Sequence, residues 1–312
     1  MKINFKKANS DKLISLSKYG ILRTYLVIPF RLKSIPSLYS FLGTVIKNFF
    51  FLQFSVKWKW RKIQIVNVDN PLDQKVPFTP QKISIYLDFV NFWIRPMTFL
   101  MCRVGEKKAL PYCVTYLKHI KQAYYEASRI YRNCMSTTKR PNLKKIKGFS
   151  TLRLLDPHLM CVPSLHVAIC TLSFSFYKNT FKELGLSQEE QEYYNRELYL
   201  SATAITETVL FVKQHSVNCI PAAVYMMNNL IPQYFSLFDG TNFVNSIFTG
   251  LSDSEESPYY DENSKITNLI SEENCNKIRE HMFFMYERFM LEGKMEENWK
   301  VPILHWLKNI QQ

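Results

Sequence analysis

The chain has 312 residues, 47% apolar and 15% aromatic against 21% charged, which supplies a sizeable core and excludes a disordered polyelectrolyte. Its net charge of +14 is uneven: residues 1–150 hold 28 Lys and Arg against 6 Asp and Glu, residues 151–312 hold 12 against 20, and +22 and −8 sum to +14. Only 8 glycines occur, none in GxGxxG or GxxxxGK[ST] spacing, which argues against the glycine-rich cradles of nucleotide sites.

The start, "MKINFKKANSDKLISLSKYG", is basic but lacks an apolar h-region, so no secretory signal is expected. Apolar stretches at 42–56, 85–102 and 219–238 are broken by Lys47 and Asn48, by Asp88, Asn91 and Arg95, and by Asn228, Asn229 and Gln233. None reaches the roughly twenty uninterrupted apolar residues of a clean membrane span. A cytoplasmic, membrane-associated chain is expected, with an integral membrane protein as the alternative. In "QFSVKWKWRKIQIVNV", residues 53–68, Val56, Trp58 and Trp60 alternate with Lys57, Lys59 and Arg61. That alternation predicts a strand with an aromatic and a basic face, suited to a lipid headgroup layer or to stacked bases, or else an ordinary half-buried strand.

Helical periodicity dominates the rest. Residues 116–132 place Tyr116, Ile120, Ala123, Tyr124, Ala127, Ile130 and Tyr131 on one face. "KRPNLKKIK", 139–147, reads as a basic loop broken by Pro141. Residues 163–177 and 198–212 read as buried helices, as does much of 221–238. Between them, 178–196 reads as a charged insertion holding a helix capped by Ser187 with Glu190 at its third position. Residues 251–266, within the acidic, breaker-rich stretch 249–266, read as a linker. Beyond it, 275–290 is amphipathic through Ile278, Met282, Phe283, Met285, Tyr286 and Phe289. The expected fold is all-α: a helical bundle over 1–250 with catalytic residues between core helices, then a linker and a C-terminal helical appendage over 267–312.

Seven cysteines stand singly with no CxxC, which fits a reducing compartment and argues against a disulfide framework or zinc ribbon. His119, His281 and His305 have no second ligand at metal spacing and read as structural, while His158 in "DPH" is open. Two histidines are harder to dismiss. In "CVPSLHVA", Pro163 at the first helical position sets up a helix N-terminus, where Ser164 and backbone N–H groups can hold a phosphate oxygen facing His166. In "KQHSVNC", Lys213 and His215 lie in an apolar segment read as a buried helix, an expensive placement without a partner or ligand.

These two stretches together resemble the type 2 phosphatidic acid phosphatase and haloperoxidase superfamily, with its KxxxxxxRP, PSxH and SRxxxxxHxxxD pattern. The leucine of PSLH and the KQH are closest to its inositol-phosphorylceramide-synthase-like lipid branch. The resemblance covers about 132–223. It implies a phosphohistidine on His215, with His166 protonating the departing alcohol and Ser164 touching phosphate. Lys139 and Arg140 before Pro141 fall where its first motif is expected, and no metal or other cofactor is implied.

The sequence departs from that pattern at three places. Asn133 stands where the first lysine belongs, with Arg132 one residue off. Glu207-Thr208 or Thr208-Val209 replaces the distal Ser-Arg, leaving Lys213 or Arg153 as substitute phosphate ligands. Cys219, preceded by Asn218, stands where an aspartate would orient His215 from one helical turn away. Asn218 offers an amide oxygen without charge, and Asp156 or a residue from the N-terminal third is an alternative source of a carboxylate. The expected function is a metal-independent phosphatase or phosphotransferase on a phosphate ester of lipid or isoprenoid type. The alternative is a catalytically weakened homologue that binds phospholipid. No nucleic-acid module accompanies the basic runs, so nucleic acid is not an expected partner.

Overall fold

The computed structural model describes residues 13–141 and 156–310 and is all-α apart from one short strand pairing and an isolated parallel bridge between Ser136 and Met160. Three short N-terminal helices, α1 (Leu22–Val27), α2 (Ile35–Val45) and α3 (Leu52–Lys57), precede the long α4 (Ile83–Arg103) and α5 (Glu106–Tyr131). A π-helical turn, Ile46–Phe51, makes α2 and α3 one continuous rod. Next come α6 (Leu165–Glu183), α7 (Gln188–Phe211), α8 (Cys219–Leu230) and α9 (Leu237–Ser246). A single turn α10 (Ile266–Leu269), α11 (Glu272–Lys294) and α12 (Lys300–Asn309) complete the chain.

The centre is α6, packed on α4, α5, α7 and α8. Its sequence is apolar all round, so it can only be an interior helix. Its hydroxyls are satisfied inside the helix: Thr171 donates to the Val167 carbonyl at 2.9 Å and Ser173 to Ile169 at 2.7 Å. Each fully buried ring it contributes, such as Phe176 and Phe181, is worth about 1.5–3 kcal/mol of transfer free energy. Residues 178–196 are not an insertion, because α6 runs to Glu183, the chain turns at Gly185 (φ 69°), and α7 begins at once. The Ser187–Glu190 capping box is present as read, with Glu190 N–H donating to Ser187 Oγ at 3.2 Å.

Residues 53–68 are not one strand. The helical run from α2 continues through Lys57, the chain turns with Lys59 at φ 62°, and only β1 (Ile65–Asn67) is extended. Its partner is β2 (Met135–Thr137), parallel, with Val66 opposite Ser136. The acidic stretch after Thr249 is tied down: the Ser252 hydroxyl donates to buried Glu207, and Ile266 N–H donates to Asp253 at 2.7 Å. Helix α11 packs on α8 and α9 with Ile278, Met282 and Phe289 fully buried, so the C-terminal helices share the core of the preceding ones. By length and composition alone, the stretch Ile35–Lys57 is long and apolar enough to cross a membrane.

Candidate active site

The two histidines meet. His166, in the first turn of α6, and His215, on the turn between α7 and α8, have ring centroids 5.7 Å apart at an interplanar angle of 65°. Ser164 is the N-cap of α6, and Pro163 lies just outside the helix rather than at its first position. The serine hydroxyl satisfies Val167 N–H at 3.4 Å and also lies 3.2 Å from His215 Nε2. One side chain therefore joins the helix terminus to the second histidine.

The approach to this cap is held from several sides. Val162 N–H donates to Ser136 Oγ at 2.8 Å, the Tyr131 hydroxyl donates to the Pro163 carbonyl at 2.6 Å, and Ser164 N–H donates to the Cys219 carbonyl at 3.4 Å. Strand β2 also carries the chain to Arg140, which donates to Asp156 Oδ2 at 2.8 Å, while its Nε is buried without a partner. His166 is held between Tyr86 at 4.6 Å and Phe89 at 4.5 Å, both from α4. Nothing in the motif spacing pointed to these rings; their only trace was aromatic density in 85–102.

The electrostatics follow from this packing. Burial pulls His166 down to about 4, opposed by the Asp156 carboxylate. Burial, then His166, then Arg140 drive His215 well below the ordinary imidazole range, against a pull from the Cys161 carbonyl. His215 Nδ1 is buried with no partner within hydrogen-bond distance. In the free protein both imidazoles are therefore neutral near pH 7, with a guanidinium close enough to disfavour further positive charge.

Several expected site residues lie elsewhere. His215 and Lys213 are not inside a helix, because α7 ends at Phe211 and Lys213 sits in the left-handed region at φ 55°. The Lys213 ammonium is committed to the carbonyls of Asp73 and Val76, so it does not serve as a phosphate ligand. Arg132, exposed at the end of α5, bonds Asn48 instead of entering the site. Lys139 is exposed, its backbone N–H bound to Asp69 at 3.0 Å. Arg153 lies outside the described residues. Glu207, at the distal Ser-Arg position, clamps Phe248 N–H at 2.7 Å beside Ser252 and Lys82, away from the histidines.

Neither Asn218 nor Cys219 orients His215. Reaching back one turn needs continuous helix, and α8 starts only at Cys219. Asn218 instead bridges elements, donating to the Val68 carbonyl at 3.0 Å and pairing its oxygen with His281 Nε2 at 2.7 Å. The Cys219 thiol accepts from Ser216 N–H at 3.3 Å. His158 is buried and bonded to Thr138 at 2.7 Å. His119 packs on Phe176 and Tyr234.

Beside Arg140 and Asp156 opens a groove of about 660 Å³ whose wall carries Lys57, Lys59, Arg61 and Lys62. Among the described residues, no three His, Cys, Asp or Glu side chains gather as a metal would require. Comparison with protein-family models, with curated proteins and with solved structures finds no match to the chain.

Proposed function

We propose that the chain transfers the phosphoryl group of a phosphate ester, with His215 as nucleophile and His166 as the proton-handling partner. The observation that carries this reading is the facing pair of imidazoles, 5.7 Å apart, with Ser164 Oγ on His215 Nε2. A lone buried histidine is ordinary, but two neutral rings meeting at the N-terminus of a long helix, one of them with a buried and unpartnered Nδ1, are a costly arrangement that a phosphate would repay. The PSLH and KQH stretches add their resemblance to the phosphatidic acid phosphatase superfamily.

In this mechanism, neutral His215 Nε2 displaces the Ser164 hydroxyl contact and attacks phosphorus as the P–O bond to the alcohol breaks. A proton reaches the leaving oxygen through His166. Because that ring is neutral beforehand, the proton arrives with a monoanionic ester or is taken up as the phosphate charge raises the ring's basicity. Water then cleaves the P–N bond, with His166 accepting its proton. Arg140 and the N–H groups of Leu165 and His166 neutralise the equatorial oxygens. The apolar and basic lining of the groove favours an ester with a lipid or isoprenoid tail.

A second reading is favoured by the unpartnered His215 Nδ1: without a carboxylate the imidazolium is poorly stabilised, and the site holds phospholipid headgroups with little turnover. Hydrolysis of a phosphomonoester, blocked by vanadate and abolished by His215→Asn, supports the enzyme. Absence of turnover together with retained headgroup binding would sink it in favour of the binder.

A further inference from the structure

From residue 13 to residue 68 the chain has nine Lys or Arg and no Asp or Glu. Over the same stretch the surface carries large apolar side chains. The rod formed by α2 and α3 buries Phe41, Asn48, Leu52 and Val56 on one side. On the opposite side Tyr39, Leu42, Ile46 and Phe50 repeat at helical spacing and are exposed, where a water-facing helix would be polar. Ahead of the rod Phe30 is 74% and Leu32 87% exposed. At its end Trp58 and Trp60 are 4.9 Å apart and exposed, with Lys57 over Phe54 and Arg61 over Phe51.

We infer that this face docks on an anionic lipid bilayer, with the rod lying along the surface. Cations without counter-charges, interleaved with bulky apolar groups, match a layer that is negative at the headgroups and apolar just beneath. The tryptophans belong at the boundary between the two. A nucleic acid would satisfy the cations but leave the apolar stripe in water. Lys33, Lys47, Lys57, Lys59 and Lys62 make no ion pair among the described residues, so their charge is available.

The rod is long enough to cross a bilayer, but polar bonds on its inner side hold it to the body. Asn48 accepts from Arg132, and Gln53 accepts from Leu159 N–H at 3.2 Å, four residues before the Pro163–Ser164 cap. Crossing would break both, so a surface orientation follows. Docking would bring the basic groove, lined by Lys57, Lys59, Arg61, Lys62 and Arg140, to headgroup level. That consequence alone rests on the proposed function; the docking itself does not.

The test is flotation of the purified full chain with phosphatidylcholine vesicles, with and without phosphatidylglycerol. Binding to the anionic vesicles, weakened by salt and accompanied by a blue shift of tryptophan emission, is expected. Ile46→Glu with Phe50→Glu should lower binding by about tenfold or more, and Trp58→Ala with Trp60→Ala should lower it without touching buried residues. Circular dichroism checks that each variant is folded. No vesicle binding, or unchanged binding by both folded variants, overturns the inference; so does resistance to alkaline carbonate extraction, which would mean a crossing helix. Hydrolysis of a short-chain soluble ester separates the two readings: a docking variant should keep it, and its absence in wild-type protein that still binds vesicles sinks the enzyme reading alone.

Discussion

Ser164 Oγ lies 3.2 Å from His215 Nε2, so a hydroxyl occupies the nitrogen that the proposed mechanism uses to attack phosphorus. Ser164→Ala frees that nitrogen but removes one phosphate contact and the cap of α6. Turnover should fall by roughly 10²-fold, as for loss of one oxyanion donor, with stability reduced by about 1 kcal/mol. His215→Asn should abolish turnover. Steady-state assays of both variants check this, and a serine variant as dead as the histidine variant would make Ser164 the nucleophile.

His166 should make the fold sensitive to mild acid. Its folded value of about 4 lies below the ordinary 6.5, so between those values the unfolded chain binds a proton that the folded chain does not. Stability is therefore lost as pH falls through that window, by at most about 3 kcal/mol. His215 acts with the same sign. Urea unfolding at pH 7 and pH 5 should show a smaller acid loss in His166→Gln than in wild type.

Glu207 should act with the opposite sign. Burial raises it from 4.5 to about 7, outweighing its bonds to Ser252 and Phe248 N–H. The folded chain thus holds a proton that the unfolded chain has released, and stability is lost as pH rises from 4.5 through 7. Glu207→Gln removes this loss, so relative to wild type it should be more stable at pH 8 than at pH 5, by up to about 3 kcal/mol. Thermal melts at the two pH values measure it.

Cys219→Asp should not rescue the missing carboxylate. The side chain at 219 meets Ser216 N–H, and no helix connects it back to His215. A new carboxylate there is buried near Asp73 and Asp69, so a stability loss of about 2–4 kcal/mol without faster turnover is expected. An accelerated variant would show that the turn rearranges to supply His215 with its acid.

Lys213→Met should weaken the fold and leave phosphate affinity alone, because the ammonium serves the Asp73 and Val76 carbonyls. Losing those charged bonds should cost about 1–3 kcal/mol. Vanadate affinity, measured by calorimetry, should stay within about twofold of wild type; a large drop would return Lys213 to the site.

The helical class, the interior character of α6, the Ser187–Glu190 cap and the pairing of His166 with His215 were all legible in the chain, since each depends on local spacing or on a short motif. The fate of the long cations was not. Lys213, Arg132 and Arg140 look alike in sequence, yet one anchors a turn, one bonds Asn48 and one faces Asp156 beside the histidines. Where a flexible cation points is decided by which carbonyls and carboxylates distant segments bring near it. The same holds for the carboxylate spacing at Cys219, which means one helical turn only if the helix is unbroken, and here a turn intervenes. Sequence by itself determined which residues could do chemistry; tertiary structure decided which of them meet, because burial and pairing are properties of neighbours far apart along the chain.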